Sequence, residues 1–216
     1  MDEQVRRKIE EFFETYPVRS LGTKEILIFA GEDPSHIFHL VQGKIGQYDV
    51  TSKGQQVMVN IFKPPAFFPM SWAINKVPNE YLFEALEPTV VRVAPPDAVV
   101  EFLKREPDVL FDLLSRVYKG TDGLLRQNAL LMEGSAVSLL VFELLVSCLR
   151  FGKPHEDNGY KLVIKEHELA ARTGLARETV SRNLQVLKSK RLIQTEAGHV
   201  VIPDIGKLRQ VLSQDE

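Results

Sequence analysis

The sequence predicts an α+β chain in three parts: a β-rich N-terminal half, a long heptad-patterned helix, and a C-terminal helix-turn-helix followed by a short β wing. Three observations predict it. Between about residues 20 and 94, short apolar runs alternate with clusters of turn residues. From Leu110 to Leu131, one set of positions recurs with spacing 4, 3, 4, 3, 4, 3. From Lys165 to Ile193, two amphipathic segments flank Gly174.

Residues 1–16 fit a short amphipathic helix, with Val5, Ile9, Phe12 and Phe13 at helical spacing. The β pattern then runs EILIFA, HIFHLV, IGQYDV and QVMVNIF, separated by GEDPS, QGK and TSKGQ. Gly22, Gly31, Gly43 and Gly54 fall about ten residues apart, as short antiparallel strands require. The segment KPPAFFPMSWAINKVPN reads as one aromatic loop, after which YLFEAL and TVVRVA resume the strands. Beyond Pro95-Pro96 the pattern turns helical, with a short segment at 97–105 and a new helix that Pro107 suits at its first turn.

The recurring positions on that helix are Leu110, Leu114, Val117, Thr121, Leu124, Asn128 and Leu131, the seam of a coiled coil. Phe111, Tyr118, Leu125 and Met132 make a second stripe beside it. One stripe is expected to face a partner helix in a homodimer and the other the β domain. A single amphipathic helix packed wholly on its own chain is the plainer alternative. Gly120 and Gly123 each weaken the helix by about 1 kcal/mol relative to Ala and mark a hinge or a close backbone approach. Asn128 on the seam can fix register. A further helix covers about 135–150, and FGKPHEDNGY reads as a linker or exposed loop. The expected domains are 1–106, 107–134 and 135–216.

Composition excludes several classes. The 216 residues are 44% hydrophobic and 26% charged, too apolar for a disordered chain and too charged for a membrane protein. The most apolar stretch, Ala136 to Leu149, is broken by Ser138, Glu143 and Ser147. No membrane partner is expected. The N-terminus lacks the apolar run of a signal peptide, so a cytoplasmic location is expected. The single cysteine, Cys148, excludes an internal disulfide and any multi-cysteine zinc or iron–sulfur site, and it reads as a core residue. Charge is uneven: residues 1–159 carry 17 Lys/Arg against 22 Asp/Glu, and residues 160–216 carry 10 against 7. A basic module on an acidic body suits a polyanion partner.

That module is KEHELAARTGLARETVSRNLQVLKSKRLI. Leu169 and Ala170 face inward on its first helix, Gly174 makes the turn, and Leu175, Val180, Leu184 and Leu187 bury one face of the second. The opposite face carries Arg177, Glu178, Ser181, Arg182 and Lys188. Arginine can pair with guanine O6 and N7, and glutamate can accept from cytosine N4. RLIQTEAGHVVI then reads as a two-stranded wing. Double-stranded DNA is therefore the expected partner, with Lys165, Thr179, Lys188, Lys190, Arg191 and His199 placed near phosphates.

LAARTGLARETVSRNLQVLKSKRLI resembles the DNA-binding segment of the cyclic-AMP receptor protein/FNR (Crp/Fnr) family of bacterial transcription regulators, and RETVSR resembles its recognition-helix core. HIFHLVQGKIGQYDV resembles the strand-Gly-strand signature of the family's β-roll, a jelly roll of the cyclic-nucleotide-binding type. PDVLFDLLSRVYKGTDGLLRQ resembles its dimerisation helix. The resemblance covers almost the whole chain. It implies a homodimer acting on RNA polymerase from a palindromic operator with TGTGA-like half-sites, with Arg177, Glu178 and Arg182 reading bases.

The nucleotide pocket departs from the family. Its Gly-Glu turn corresponds to Phe67 through Trp72, and its phosphate-neutralising arginine to Asn79. Pro69 lacks a backbone donor, Met70 cannot bond a ribose hydroxyl, and Glu80 sets a negative charge where a phosphate would lie. Two anions about 4 Å apart repel by roughly 4 kcal/mol at an effective dielectric of 20. Leu124 and Leu125 stand where polar base contacts belong. Cyclic AMP is therefore not the expected ligand. The cluster Phe62, Phe67, Phe68, Met70, Trp72, Tyr81 and Phe83, with Leu124 and Leu125, is either a pocket for a small apolar effector or a core that has filled its own pocket.

Haem would need an axial ligand, but His36 and His39 are three apart and point to opposite strand faces. No cofactor is expected. Catalysis is not expected either: there is no phosphate-binding Gly loop or nucleophile elbow, and His167-Glu168 lacks a second histidine because position 171 is Ala. The alternatives to a sequence-specific regulator are a ligand-binding module whose helix-turn-helix serves protein contact and an effector-free constitutive regulator.

Overall fold

The computed structural model describes residues 1–50, 54, 56–156, 158–196 and 199–213. The chain forms two compact units, Met1–Lys119 and Gly120–Glu216. The boundary falls inside the long helix, next to Gly120, rather than at either end of it.

The first unit starts with α1 (Glu3–Glu14), capped by Asp2, whose carboxylate accepts from Gln4 N–H. Strands β1 (Val18–Leu21), β8 (Thr89–Ala94), β3 (Ile37–Gln42) and β6 (Ala66–Phe68) form one antiparallel sheet in that order. Strands β2 (Ile26–Ile28), β7 (Tyr81–Ala85), β4 (Ile45–Val50) and β5 (Gln56–Phe62) form the other. Together they make the expected roll. Period-2 alternation assigns each side chain a face. On β3, Phe38 and Leu40 enter the roll interior with Ile45, Phe68, Phe83 and Val91. Ile37 and, from β6, Phe67 point the other way, onto Val5, Ile9 and Phe13 of α1. Burying one large apolar side chain contributes roughly 1.5–3 kcal/mol, so both faces of this sheet matter to stability.

The Gln42-Gly43-Lys44 turn needs its glycine twice over. Gly43 has φ +91°, and a Cβ there would lie 2.7 Å from the Pro88 carbonyl oxygen. The first strand, β1, escaped the sequence pattern because VRSL has only Leu21 buried. The aromatic loop is a correction: it folds as β6 and a short helix, α2 (Met70–Asn75), ended by Lys76 in the left-handed region. Tertiary packing of Phe67, Phe68 and Ala73 selects those elements where local sequence read as turn.

Helix α3 (Pro96–Arg105) leads into α4 (Pro107–Glu133). Lys8 of α1 clamps this junction, its ammonium 2.7 Å from both Glu106 and Asp108. The hydrogen bond from Lys8 lowers the Asp108 carboxyl below its ordinary range. Val109 and Leu113 face α1 and α3, and the Arg116 guanidinium sits over the Phe67 ring at 5.9 Å. Within the first unit, Phe111 and Tyr118 of the second stripe are therefore exposed rather than packed on the β domain. Phe111 is 75% and Met132 81% exposed, and Tyr118 and Leu125 are also exposed, as are the seam residues Leu110, Leu114, Val117, Leu124 and Leu131. A Cβ at Gly120 or Gly123 would meet nothing within 4 Å, so neither glycine marks a close approach inside the chain.

The second unit contains α5 (Ala136–Phe151), β9 (Lys153–His155), β10 (Gly159–Val163), α6 (Glu166–Thr173), α7 (Arg177–Ser189), β11 (Gln194–Glu196), β12 (His199–Ile202) and α8 (Ile205–Gln210). The expected linker FGKPHEDNGY is a second correction, because β9 and β10 pair antiparallel. They extend the wing to a four-stranded sheet ordered β11-β12-β10-β9. Residues 197 and 198 of the expected wing lie outside the described residues. Helix α8, hidden in sequence by its brevity, buries Leu208 fully under the Asp204 cap. Cys148 is buried, and burial pushes its thiol up to about 12, so no thiolate forms near neutral pH. Among the described residues no helix is long and apolar enough to cross a membrane.

His39 sets an expected pH dependence. It is 3% exposed, stacks on Phe13 at 4.5 Å, and neither ring nitrogen has a hydrogen-bond partner among the described residues. Burial lowers its pKa to about 4, with Arg92 adding to the effect and Glu10 opposing it. The unfolded chain takes up this proton near pH 6.5 and the native chain only near 4, so stability falls as pH drops through that window, by about 3 kcal/mol. Urea unfolding of His39→Phe should lose that part of the slope between pH 7 and 4; an unchanged slope would assign it elsewhere.

Candidate nucleic-acid interface

Helices α6 and α7 are held by the second unit's core. Leu169 and Ala170 of α6 and Val180, Leu184 and Leu187 of α7 pack with Leu140, Leu144 and Leu162. Gly174 lies between them at φ +72°, a left-handed conformation that favours glycine, and its N–H donates to Ala170 O at 2.9 Å. Glu168 accepts from the Lys165 N–H at 2.9 Å and fixes the start of α6. The burial of one α7 face leaves Arg177, Glu178 and Arg182 exposed, with Ser181 and Thr179 half-buried beside them. Among the described residues, Arg177, Glu178 and Arg182 make no ion pair.

The expected phosphate-facing groups surround this face in sequence. Lys165, Lys188, Lys190 and Arg191 are exposed and His199 is half-buried on β12. Lys188 Nζ donates to Thr195 Oγ1 at 3.2 Å, which pins α7 to the wing. Arg191 turns the chain out of α7 with φ +56°, a conformation uncommon for a side chain larger than glycine.

Within the first unit, the residues of the expected effector pocket do not form one lining. Phe62, Phe68 and Phe83 stack inside the roll, with ring centroids 4.6 Å and 5.4 Å apart along the series. Phe67, Met70 and Trp72 belong to the cluster against α1 and α3. Tyr81 is exposed, and Leu124 and Leu125 are exposed on α4. Asn79 is buried and committed: its Nδ2 donates to Phe29 O at 3.1 Å and Tyr81 O at 2.8 Å, and its Oδ1 accepts from Tyr81 N–H. It staples the end of β2 to β7. Pro69 precedes α2 and offers no donor.

Comparison with known proteins matches both halves. A sequence model of the cyclic nucleotide-binding domain matches residues 18–106, and one of the Crp-like helix-turn-helix domain matches residues 141–211. The chain belongs to the Crp/Fnr family. The cAMP-activated global transcriptional regulator CRP of Pasteurella multocida (strain Pm70) is 20% identical over 196 residues, covering 90% of this chain and 93% of that protein. The structure of a CooA mutant from Carboxydothermus hydrogenoformans superposes with a TM-score of 0.78 at 16% identity, over 94% of this chain and 90% of the other. The c-di-GMP responsive global regulator CLP of Xanthomonas campestris gives 0.74 at 16% identity, over 91% and 98%. These structures share the fold. As a Crp/Fnr-family chain, this one is a transcription regulator with a DNA-binding helix-turn-helix and a cyclic nucleotide-binding-type domain, not an enzyme.

Sequence reading of this Crp/Fnr-family chain missed two polar side chains that turn inward in the helix-turn-helix. Asn183 is buried on α7 among the leucines. Arg172, to which the sequence assigns no role, turns into the protein. Its Nη1 donates to Ser147 Oγ at 2.7 Å and lies 3.3 Å from Glu143 Oε1, and its guanidinium covers Phe151 at 5.6 Å. Ser147 Oγ donates to Glu143 at 2.7 Å, and Gln127 Nε2 donates to the Arg172 carbonyl at 3.4 Å. The signal was Glu143 and Ser147 themselves: polar groups four apart inside an apolar helix need a partner. Arg172→Met should lower unfolding stability by about 2–3 kcal/mol by stranding the Glu143 carboxylate. Adding Glu143→Gln should recover much of it in urea melts; no recovery would mean that the packing of Arg172 on Phe151 dominates.

Proposed function

We propose that the chain acts as a homodimer on a palindromic operator with TGTGA-like half-sites, acting on RNA polymerase, and that cyclic AMP is not its effector. The observation that carries this reading is the first two turns of α7, where Arg177, Glu178 and Arg182 are exposed and free of ion pairs among the described residues, above a buried opposite face. With the N-terminus of α7 in the major groove, these groups and Ser181 read base edges. Lys165, Thr179, Lys188, Lys190, Arg191 and His199 set the register on phosphates. The exposed seam from Leu110 to Leu131 supports dimerisation, since nine large apolar side chains of α4 are solvent-facing in the single chain. Two-fold symmetry then spaces the half-sites by about one helical turn, 34–36 Å.

Three facts support a reading without cyclic AMP. Asn79 spends its amide on backbone carbonyls, Glu80 is exposed beside it, and three stacked rings occupy the roll interior. An effector-free regulator is the second reading, favoured by that stack alone.

Selection of binding sites from random DNA should return a palindrome. Arg182→Ala should then cost about 1–3 kcal/mol and relax one base position per half-site, whereas Lys165→Ala should weaken all sequences alike and reduce the salt slope by about one. Equal losses on specific and random DNA for Arg182→Ala would overturn the base-reading assignment. Leu114→Glu should convert dimer to monomer in sedimentation, and calorimetry with cyclic AMP should show no micromolar binding; a dimer unaffected by Leu114→Glu would place the interface elsewhere.

A further inference from the structure

The roll interior is filled by aromatic rings, yet the second unit holds a cavity of about 530 Å³ behind the recognition helix. That volume lies in the usual range for small-molecule sites. Val137 of α5, Val186 of α7, Leu192 and Val211 supply aliphatic walls. Lys190 and Lys207 supply the charge, and among the described residues no acidic side chain lines the cavity. Neither lysine makes an ion pair among the described residues. The cavity of about 380 Å³ in the first unit differs in kind: Glu32 and Asp33 line it, and its Arg19 is already 3.3 Å from Glu25.

We propose that the cavity behind α7 is a regulatory site for an amphipathic anion, a carboxylate carried on an apolar body. An apolar wall alone would take any hydrophobic molecule, and two lysines alone would take any anion. Their convergence selects a ligand that has both parts, with the carboxylate between the ammonium groups and the alkyl or aryl body against the valines and Leu192. Lysine suits this role as a mobile point charge on a flexible stem. The N-terminus of α5, capped by Ser135, opens onto the same cavity and adds partial positive charge.

Occupancy would act on DNA binding by two routes. Val186 and Lys190 belong to the last turn and cap of α7, so a bound body bears directly on the recognition helix. The carboxylate would also neutralise Lys190, one of the groups assigned above to phosphate. The binding itself is independent of the operator reading; only its effect on DNA rests on it.

The test uses the full chain without DNA. Calorimetric titration with octanoate should show saturable binding at least about tenfold tighter than octanol, octylammonium or inorganic phosphate. Lys190→Gln with Lys207→Gln should abolish the difference between octanoate and octanol while leaving the thermal unfolding midpoint unchanged. Octanoate should also lower operator affinity several-fold. Absence of saturable octanoate binding, equal binding of octanol or phosphate, or an unaffected double variant would each overturn the site. Octanoate that binds but leaves operator affinity unchanged would overturn its regulatory role. Failure of the unliganded chain to bind any operator would count against the operator reading and leave the octanoate result standing.

Discussion

Everything exposed on the recognition helix depends on what its other face buries. Val180, Leu184 and Leu187 can leave water only by packing on Leu140, Leu144 and Leu169, and this fixes the rotation of α7 about its own axis. Arg177, Glu178 and Arg182 are then forced outward together. Their chemistry is ordinary; their common direction follows from the burial of three aliphatic side chains on the far side.

A second constraint reinforces the first. Arg172 joins α6 to α5 through Ser147 and Glu143. A basic residue next to a DNA-binding turn is thereby withdrawn from the surface and made part of the scaffold. Ser147 bridges the carboxylate and the guanidinium, while Arg172 Nε stays buried without a hydrogen bond among the described residues. Gln127, on the helix that carries the dimer seam, bonds the carbonyl of the same arginine. The residue that orients the DNA-reading helices is thus also in contact with the helix expected to carry dimerisation.

The first unit keeps the roll and packs aromatic rings inside it. Gly43 and the two four-stranded sheets preserve the roll. Inside it, Phe62, Phe68 and Phe83 occupy volume with rings, and Asn79 staples neighbouring backbone segments. The rings gain dispersion and area burial together.

The sequence alone determined the class of each region. Strand periodicity located β2, β3, β4, β5, β7 and β8, because alternation is imposed by the pleat and needs no knowledge of partners. Helical periodicity with Gly174 likewise placed α6 and α7 and the exposed face of α7. Only the tertiary structure decided what long-range contact imposes. The polar β9 and β10 pair through backbone groups that carry no side-chain signal. Phe67 and Phe68 are neighbours in sequence but separate into different cores, since adjacent strand residues face opposite ways. Arg172 looked like every other surface arginine until Glu143 and Ser147, more than twenty residues earlier, were brought beneath it.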